Sequence, residues 1–181
     1  MLSLFYPGAY AEDVFSINYE KLLEKGYQAL IFDIDNTVVP HGADSTPEVD
    51  DLFHRIRDIG LKTCLLSNND EERVRRFCKN IETLYICDAD KPKKTGLFKA
   101  LDLLQVPKEK AVLIGDQVFT DIFCANRCHV DSILVRFIGY YTETDIGRRR
   151  KLEQFILKAY SRSRRYQARL GDCVSLGKKP A

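Results

Sequence analysis

The stretch Ala29-Leu30-Ile31-Phe32-Asp33-Ile34-Asp35-Asn36-Thr37-Val38-Val39 decides how the rest of the chain is interpreted. Its apolar run is bounded by Gly26 and by Pro40-His41-Gly42, which predicts a central strand buried on both faces. Two carboxylates end this strand, and buried carboxylates cost free energy unless something pairs with them. Asp33 and Asp35 therefore indicate a cation or a reacting phosphate at the carboxyl edge of a sheet. The alternative is a strand that stops at a polar turn, where these residues only cap the next loop.

Strands and helices are predicted to alternate along the chain. After the strand that begins at Ala29, further strands are predicted at 61–66, 83–86, 111–114 and 131–135, and helices at 19–25, 47–59, 70–79, 95–104 and 118–128. This alternation predicts an α/β fold of three layers, a parallel sheet with crossover helices on both faces. The 181 residues suit one domain. We assign residues 1–141 to the core, including the N-terminal segment, and 142–181 to a basic C-terminal helix and tail.

The predicted strands end in side chains that suit phosphoryl transfer. These are Asp33 and Asp35, Ser67 and Asn68, Asp90 and Lys91, and Asp116 with Asp121. A carboxylate can attack a phosphoryl group once charge repulsion is relieved, and Mg²⁺ held by Asp33, Asp116 and water would relieve it. Ser67 and Lys91 would neutralise the phosphoryl oxygens. Asp35 is placed to protonate the leaving alcohol and then to deprotonate water.

Four motifs in this order resemble those of the haloacid dehalogenase (HAD) superfamily. They are Asp33-x-Asp35-x-Thr37, Ser67 after a strand, Lys91-Pro92, and Gly115-Asp116-x-x-x-x-Asp121. The fuller strings Asp35-Asn36-Thr37-Val38-Val39, Ser67-Asn68-Asn69, Ala89-Asp90-Lys91-Pro92 and Gly115-Asp116-Gln117-Val118-Phe119-Thr120-Asp121 resemble the YqeG branch. Relatives of that branch include the mitochondrial phosphatidylglycerophosphate phosphatase. The resemblance implies a HAD-like Rossmannoid core and a phosphatase that forms an aspartyl-phosphate.

The resemblance also implies a role for each motif residue. Asp33 would be the nucleophile and a Mg²⁺ ligand, and Asp35 would be the general acid/base and a ligand through its backbone carbonyl. Asp116 would be a further Mg²⁺ ligand, and Asp121 would be an outer ligand or would orient the others. Ser67 and Lys91 would hold the phosphoryl oxygens, and Thr37 and Asn68 would contact the substrate. Lys93 and Lys94 stand close enough in sequence to compete with Lys91 for its role. Structural interpretations exist as well, because Ser67, Asn68 and Asn69 suit a helix cap and Lys91 could be a solvated charge.

The spacing of the motifs leaves no room for a lid domain. One loop and one helix fill the interval between Asp35 and Ser67, and one helix and a short strand fill that between Ser67 and Lys91. A site without a cap suits a substrate whose bulk stays outside. Our first hypothesis is a Mg²⁺-dependent phosphatidylglycerophosphate phosphatase of phospholipid metabolism. The alternatives are a phosphatase for a soluble sugar, nucleotide, protein or nucleic-acid-end phosphate, and a non-enzymatic receiver-like binding module.

Charge is distributed unevenly along the chain. Residues 1–141 carry 17 Lys and Arg against 22 Asp and Glu, net −5, whereas 142–170 carry 9 against 3, net +6. The basic segment predicts an amphipathic helix over 148–166, with Leu152, Phe155, Ile156 and Ala159 on its apolar face. That face could pack on the domain, or the helix could lie on anionic lipid. Nucleic acid is not expected as a partner, and residues 171–181 are expected to be disordered.

The six cysteines show no C-x-x-C spacing, which favours reduced thiols over disulfides. The chain has no run of about 18 apolar residues, so no membrane-spanning helix is predicted. No signal peptide is recognisable at the start of the sequence. We therefore expect a cytoplasmic protein that could associate peripherally with the inner face of the membrane.

Overall fold

The computed structural model describes residues 2–138, 144–167 and 169–174, and gives no side-chain description for 144–150. Its six strands are β1 (Ala9–Ala11), β2 (Ala29–Phe32), β3 (Lys62–Leu66), β4 (Leu84–Ile86), β5 (Ala111–Gly115) and β6 (Asp131–Val135). The α-helices in this part of the chain are α1 (Tyr19–Glu24), α2 (Pro47–Asp58), α3 (Glu71–Phe77), α4 (Lys94–Leu104), α5 (Phe123–Cys128), α6 (Thr144–Tyr160) and α7 (Arg164–Gln167).

The strands form one parallel sheet in the order β1-β6-β5-β2-β3-β4. The predicted α/β class, the five predicted strands and the central position of β2 are thus confirmed. β2 is paired on both sides, with Phe32 opposite Leu65 of β3 and Ile114 of β5. The carboxyl ends of β2, β3 and β5 therefore lie side by side, which is where ligands bind in sheets of this kind.

Alternate side chains of β2 enter opposite cores. Leu30 and Phe32 pack with α1, α2 and α3, whereas Ala29 and Ile31 pack with α4 and α5. The helix boundaries follow ordinary capping rules, since the Thr46 side chain caps α2 and Asp70 caps α3. The sheet is thus sandwiched between two helix layers, and the three predicted layers are present.

Two elements of the core differ from the prediction. A sixth strand, β1, pairs with β6 at the edge of the sheet. The helix predicted at 118–128 is divided, because residues Val118–Ile122 form a π-helical turn that leads into α5. π-helical turns of this type widen the helix by one residue and are frequent at functional sites.

The C-terminal helix packs on the core through only part of the predicted apolar face. Glu153, Ile156 and Tyr160 of α6 are buried, whereas Leu152 and Phe155 are 53% and 65% exposed. Ile156 packs against Val118, Ile122 and Leu134. The expectation of disorder was wrong for residues 171–174, where a 3₁₀ turn buries Cys173 and Val174 bridges to Ile17. Residues 175–181 lie outside the described residues.

Within the described part of the chain, no helix is both long and apolar enough to cross a bilayer. All six cysteines are free thiols, as the sequence indicated. The division into a core of 1–141 and a tail of 142–181 stays a prediction. The tail does contribute to the main core, through Leu170, Cys173 and Val174.

Candidate active site

Three buried aspartates meet at the carboxyl ends of β2 and β5. Asp33 continues β2, where its N–H donates to Ile114 O of β5 at 2.9 Å. Asp116 directly follows β5, and Asp121 lies in the π-helical turn after it. One carboxylate oxygen from each of Asp33, Asp116 and Asp121 lies within 4.8 Å of the other two, and we call these three residues the acid cluster. Such a set of oxygen donors fits a divalent cation.

Two neighbours hold the acid cluster in place. The buried Thr37 hydroxyl lies 3.1 Å from Asp33 Oδ2 and 3.4 Å from Asp116 Oδ1, so it bridges the two strands. Gly115 is required by the close approach of Asp121, because a Cβ at this position would overlap the Asp121 carboxyl group. The sequence predicted a substrate contact for Thr37, and in the structure its hydroxyl contacts two acids.

Lys91 supplies the positive charge of this region. Its Nζ donates to Asp33 Oδ1 at 2.6 Å and to Asp121 Oδ1 at 2.7 Å, and its side chain is 2% exposed. Asn68 fixes its backbone, accepting from Lys91 N–H at 2.7 Å and donating to Lys91 O at 3.1 Å. Lys93, in contrast, is exposed and pairs with Asp90. Of these two lysines, Lys91 is the one that reaches the acid cluster.

Burial and neighbouring charges shift the pKa values of Asp33 and Lys91. Burial raises the pKa of Asp33 to about 6, and the charge of Asp121 acts in the same direction while Lys91 opposes it. Burial alone would lower the pKa of Lys91, but Asp121 and Asp33 outweigh it and raise that pKa. Among the described contacts, the Lys91 ammonium pairs with two of the three carboxylates, those of Asp33 and Asp121. Three carboxylates whose oxygens lie this close together form a suitable ligand set for a divalent cation, so the residues present fit a metal ion.

Asp35 lies in different surroundings, although it is only two residues from Asp33. Its Oδ1 accepts from Gly42 N–H at 2.9 Å and from Arg73 Nη2 at 2.8 Å, and its Oδ2 accepts from Asn69 Nδ2. We call Gly42, Asn69 and Arg73 the Asp35 clamp. Burial would raise the pKa of Asp35, but hydrogen bonds from the clamp and the charge of Arg73 together lower it.

Ser67 connects the Asp35 clamp to β3. The residue is buried, and its Oγ accepts from both the backbone N–H and the side-chain amide of Asn69 at 3.1 Å. Its backbone is fixed between strands, because Ser67 N–H donates to Ile86 O and Ser67 O accepts from Ala89 N–H. The hydroxyl therefore has a fixed position next to the side chain that holds Asp35.

The structure brings together most residues that the sequence singled out. The carboxylate of Asp35 is not part of the acid cluster, and its predicted role as a ligand through the backbone carbonyl stays a prediction. The sequence analysis did not identify Arg73, which contacts Asp35 in the structure, and it assigned Asn69 only to a helix cap. Side-chain periodicity could not identify Arg73, since it lies next to Val74 on a short helix with three arginines.

A family model described as haloacid dehalogenase-like hydrolase matches residues 40–129 of the chain. The match covers the chain from the loop after Asp35 to the end of α5, and so includes the strand ends that carry Ser67, Lys91 and the Asp116–Asp121 turn. The fold and the site therefore define a hydrolase of this class.

A relative that matches most of the chain identifies the family within this class of hydrolases. The chain is 32% identical over 163 residues to the "Probable phosphatase YqeG" of Bacillus subtilis strain 168, covering 87% of this chain and 92% of that protein. The chain belongs to the YqeG family of HAD-like hydrolases. This confirms the family that the motifs indicated, and it supports an enzyme, a phosphatase, over a binding module.

Solved structures share the fold at low sequence identity. A haloacid dehalogenase-like family hydrolase from Streptococcus pneumoniae superposes with a TM-score of 0.51 at 14% identity, covering 65% of this chain and 89% of that one. An uncharacterised protein from Listeria monocytogenes serotype 4b gives 0.50 at 22% identity, covering 59% and 77%. At these identities the similarity shows the fold alone.

Proposed function

We propose that this protein is a Mg²⁺-dependent phosphomonoesterase that forms an aspartyl-phosphate on Asp33 and acts on phosphatidylglycerophosphate. The observation that supports this most directly is the acid cluster, three buried carboxylates within 4.8 Å of one another with Lys91 between two of them. The proposal has three parts: the metal, the chemical steps and the lipid substrate. Each part is supported by different residues.

The metal would be held by the acid cluster, with the Asp35 backbone carbonyl as a further ligand. Mg²⁺ suits the site because it prefers carboxylate oxygens and keeps positions open for phosphate oxygens and water. When bound, the ion would reduce the repulsion between the phosphate and Asp33 and neutralise charge that develops on the phosphoryl group. Lys91 and Thr37 hold the Asp33 carboxylate in a fixed orientation for attack.

In the first step, an Asp33 carboxylate oxygen forms a bond to phosphorus and the bond from phosphorus to the leaving oxygen breaks. Lys91 faces this group with an ammonium that is already fixed by two acids, so little reorganisation is needed as charge develops. Ser67 and Asn68 would help to bind the phosphoryl oxygens. The leaving alcohol takes its proton from Asp35.

In the second step, Asp35 removes a proton from water, and the resulting hydroxide attacks phosphorus. The bond between phosphorus and the Asp33 oxygen breaks, which releases inorganic phosphate and restores the carboxylate. The Asp35 clamp favours the ionised form, which is the form needed here. For the first step, Asp35 must exchange its contact with Arg73 for a proton.

A lipid substrate is supported by the open site and by the surface of α6. Between Asp35 and Lys91 the chain forms α2, β3, α3 and β4, without an inserted domain to cover the strand ends. Leu152 and Phe155 are exposed on α6, next to the exposed Lys151 and Lys158. Apolar side chains flanked by basic ones are typical of helices that lie on anionic membranes.

Phosphate release from a panel of substrates tests this proposal. Phosphatidylglycerophosphate in mixed micelles is compared with sugar phosphates, nucleoside monophosphates and a phosphopeptide, each with Mg²⁺ and with EDTA. The Asp33→Asn protein is the control, and any phosphate that it releases is attributed to contaminating phosphatase. We expect Mg²⁺-dependent release with the lipid strongly preferred. A preference for a soluble ester would refute the lipid substrate, and equal release in EDTA would refute the metal.

The membrane contact is tested with two matched pairs of exposed apolar residues. Leu152→Ser with Phe155→Ser alters α6, and Phe98→Ser with Leu103→Ser alters the exposed apolar residues of α4. We expect the α6 pair to weaken binding to vesicles with 30% anionic lipid by about tenfold, because less apolar area is buried in the interface. The α4 pair should bind as the unchanged protein does. Equal loss in both pairs would rule out α6 as the contact.

A further inference from the structure

Glu153 is a buried acid that the chemical steps above do not use. It lies on α6, is 5% exposed, and belongs to the segment after the sheet. Its Oε1 accepts a hydrogen bond from the backbone N–H of Val118 at 3.0 Å. Val118 is the first residue of the π-helical turn that carries Asp121. A side chain of the C-terminal helix is therefore bonded to the chain between two members of the acid cluster.

The N–H of Val118 needs this acceptor because the turn does not cap itself. The first N–H groups of a helix have no partner within the helix, and Gln117, at the cap position, makes no side-chain cap bond. The preceding N–H, that of Gln117, donates to Asp121 Oδ2 at 3.1 Å. Two consecutive amides are thus held by two carboxylates, Asp121 in the site and Glu153 on α6. Asp121 thus holds the peptide group that joins Asp116 to Gln117, and Glu153 holds the next one, which joins Gln117 to Val118.

We propose that Glu153 is a positioning residue of the active site, which holds the Asp116–Asp121 turn through the Val118 N–H and so sets the geometry of the acid cluster. Asp116 lies one residue before the peptide group that Glu153 holds, and Asp121 lies three residues after it. A carboxylate at the start of a helical segment also interacts favourably with its dipole. The C-terminal helix is then a component of the enzyme site. The inference rests on the proposed metal site for its main readout.

Four variants of the full-length chain test this role. Glu153→Met keeps the length of the side chain and removes the acceptor, whereas Glu153→Gln keeps an acceptor oxygen and removes the charge. Glu153→Asp keeps the charge but withdraws the carboxylate by one methylene. Ile156→Ala, on the same buried face of α6, removes packing against Val118, Ile122 and Leu134 but leaves the hydrogen bond from Val118 N–H to Glu153 in place.

The readouts are Mg²⁺ affinity by calorimetry without substrate, kcat with a soluble phosphomonoester, and the midpoint of thermal unfolding. We expect Glu153→Met to weaken Mg²⁺ binding and kcat by about tenfold or more, as is usual when the support of a ligand is lost. Glu153→Gln should stay within about threefold of the unchanged protein, because the hydrogen bond persists. Ile156→Ala should lower the unfolding midpoint and leave Mg²⁺ affinity within about twofold, because only packing is lost.

Equal Mg²⁺ affinity in Glu153→Met and Ile156→Ala would overturn the proposal, since α6 would then act through packing alone. If Glu153→Met does not fold, the comparison of Glu153→Asp with Glu153→Gln decides. The Asp variant must bind Mg²⁺ more weakly than the Gln variant, and the reverse order would overturn the proposal. Failure of the proposed lipid substrate is distinguishable, because it would change which ester the unchanged protein prefers and leave the calorimetric comparison of Mg²⁺ affinities intact.

Discussion

The site has two halves, one around Asp33 and one around Asp35. These two aspartates lie two residues apart at the end of one strand, but their surroundings are built in opposite ways. Asp33 belongs to a buried group of three carboxylates, and Lys91 contacts two of them. Asp35 is held by the clamp, a guanidinium, an amide and a backbone N–H around a single carboxylate. In the first half three carboxylates lie close together, whereas in the second a single carboxylate is surrounded by hydrogen-bond donors.

The pKa values of the two acids follow from this difference. Burial raises the pKa of Asp33 to about 6, whereas the clamp outweighs burial at Asp35 and lowers its pKa. Two carboxylates with pKa values moved in opposite directions commonly have different chemical roles. The half around Asp33 is suited to bind a cation and to react with phosphorus. The half around Asp35 is suited to hold one group in a defined position.

The largest effect is expected from Asp33→Asn. An amide cannot attack phosphorus at a useful rate, so kcat should fall by roughly 10⁴-fold or more, while the fold persists because the change is isosteric. Phosphate release and thermal unfolding of the variant provide the measurement. Asp102→Asn, the same change at an exposed position on α4, is the control and should retain full activity. Turnover of Asp33→Asn within tenfold of the unchanged protein would show that Asp33 is not the nucleophile.

Lys91→Met is expected to cause a smaller loss of kcat, together with a change in stability that depends on whether metal is bound. Without the ammonium, Asp33 and Asp121 are left as buried charges, which should destabilise the metal-free protein by about 3–5 kcal/mol. Mg²⁺ should restore part of this stability, and kcat should fall by roughly 10²–10³-fold. Urea unfolding with EDTA and with Mg²⁺, together with phosphate release, measures both effects.

The control for Lys91→Met is Lys93→Met, because Lys93 is exposed and pairs only with Asp90 among the described contacts. We expect Lys93→Met to leave stability and kcat close to those of the unchanged protein. If instead Lys93→Met lost activity and Lys91→Met retained it, the assignment of the stabilising lysine would be reversed. If Mg²⁺ stabilised both variants to the same extent, repulsion between the Asp33 and Asp121 carboxylates would not explain metal binding at the acid cluster.

Much of the fold and of the site could be predicted from the sequence, because the sequence signals that indicate them are local. Strand ends, helix caps at Thr46 and Asp70, and the spacing of the acids all lie within short segments. Parallel sheets then bring such ends to one edge, so the partners of Asp33 could be predicted from order alone. The strand β1 was missed because it has three residues and pairs with β6, more than 120 positions away.

The surroundings of Asp35 and of Glu153 could not be predicted from the sequence in this way. Arg73 looks like a surface arginine in sequence, and its inward direction depends on how α3 lies against the loop that holds Ala43. Glu153 has a backbone N–H as its partner, and a backbone donor leaves no trace in residue types. In both cases a charged side chain is buried by tertiary contacts that no short-range pattern encodes.

The last prediction concerns Arg73→Ala, which should affect only the half around Asp35. Arg73 donates to Asp35 and to Ala43 O, while its Nε and Nη1 are buried without an acceptor among the described residues. Buried donors without a partner cost about 1–3 kcal/mol each, so the guanidinium is retained at a cost to stability. We expect kcat to fall by about 10–100-fold, because Asp35 loses its fixed position, while Mg²⁺ affinity stays within about twofold.

A comparison of two esters with different leaving groups shows whether Arg73 supports proton transfer by Asp35 or only keeps the site ordered. An alkyl phosphate needs a proton on its leaving oxygen, whereas a nitrophenyl phosphate does not, so Arg73→Ala should impair the alkyl ester more strongly. Arg75→Ala is the matched control, since Arg75 lies on the same helix and bonds to the exposed Glu71. Equal losses for both esters, or a loss of Mg²⁺ affinity as large as that of kcat, would mean that the two halves of the site do not act separately.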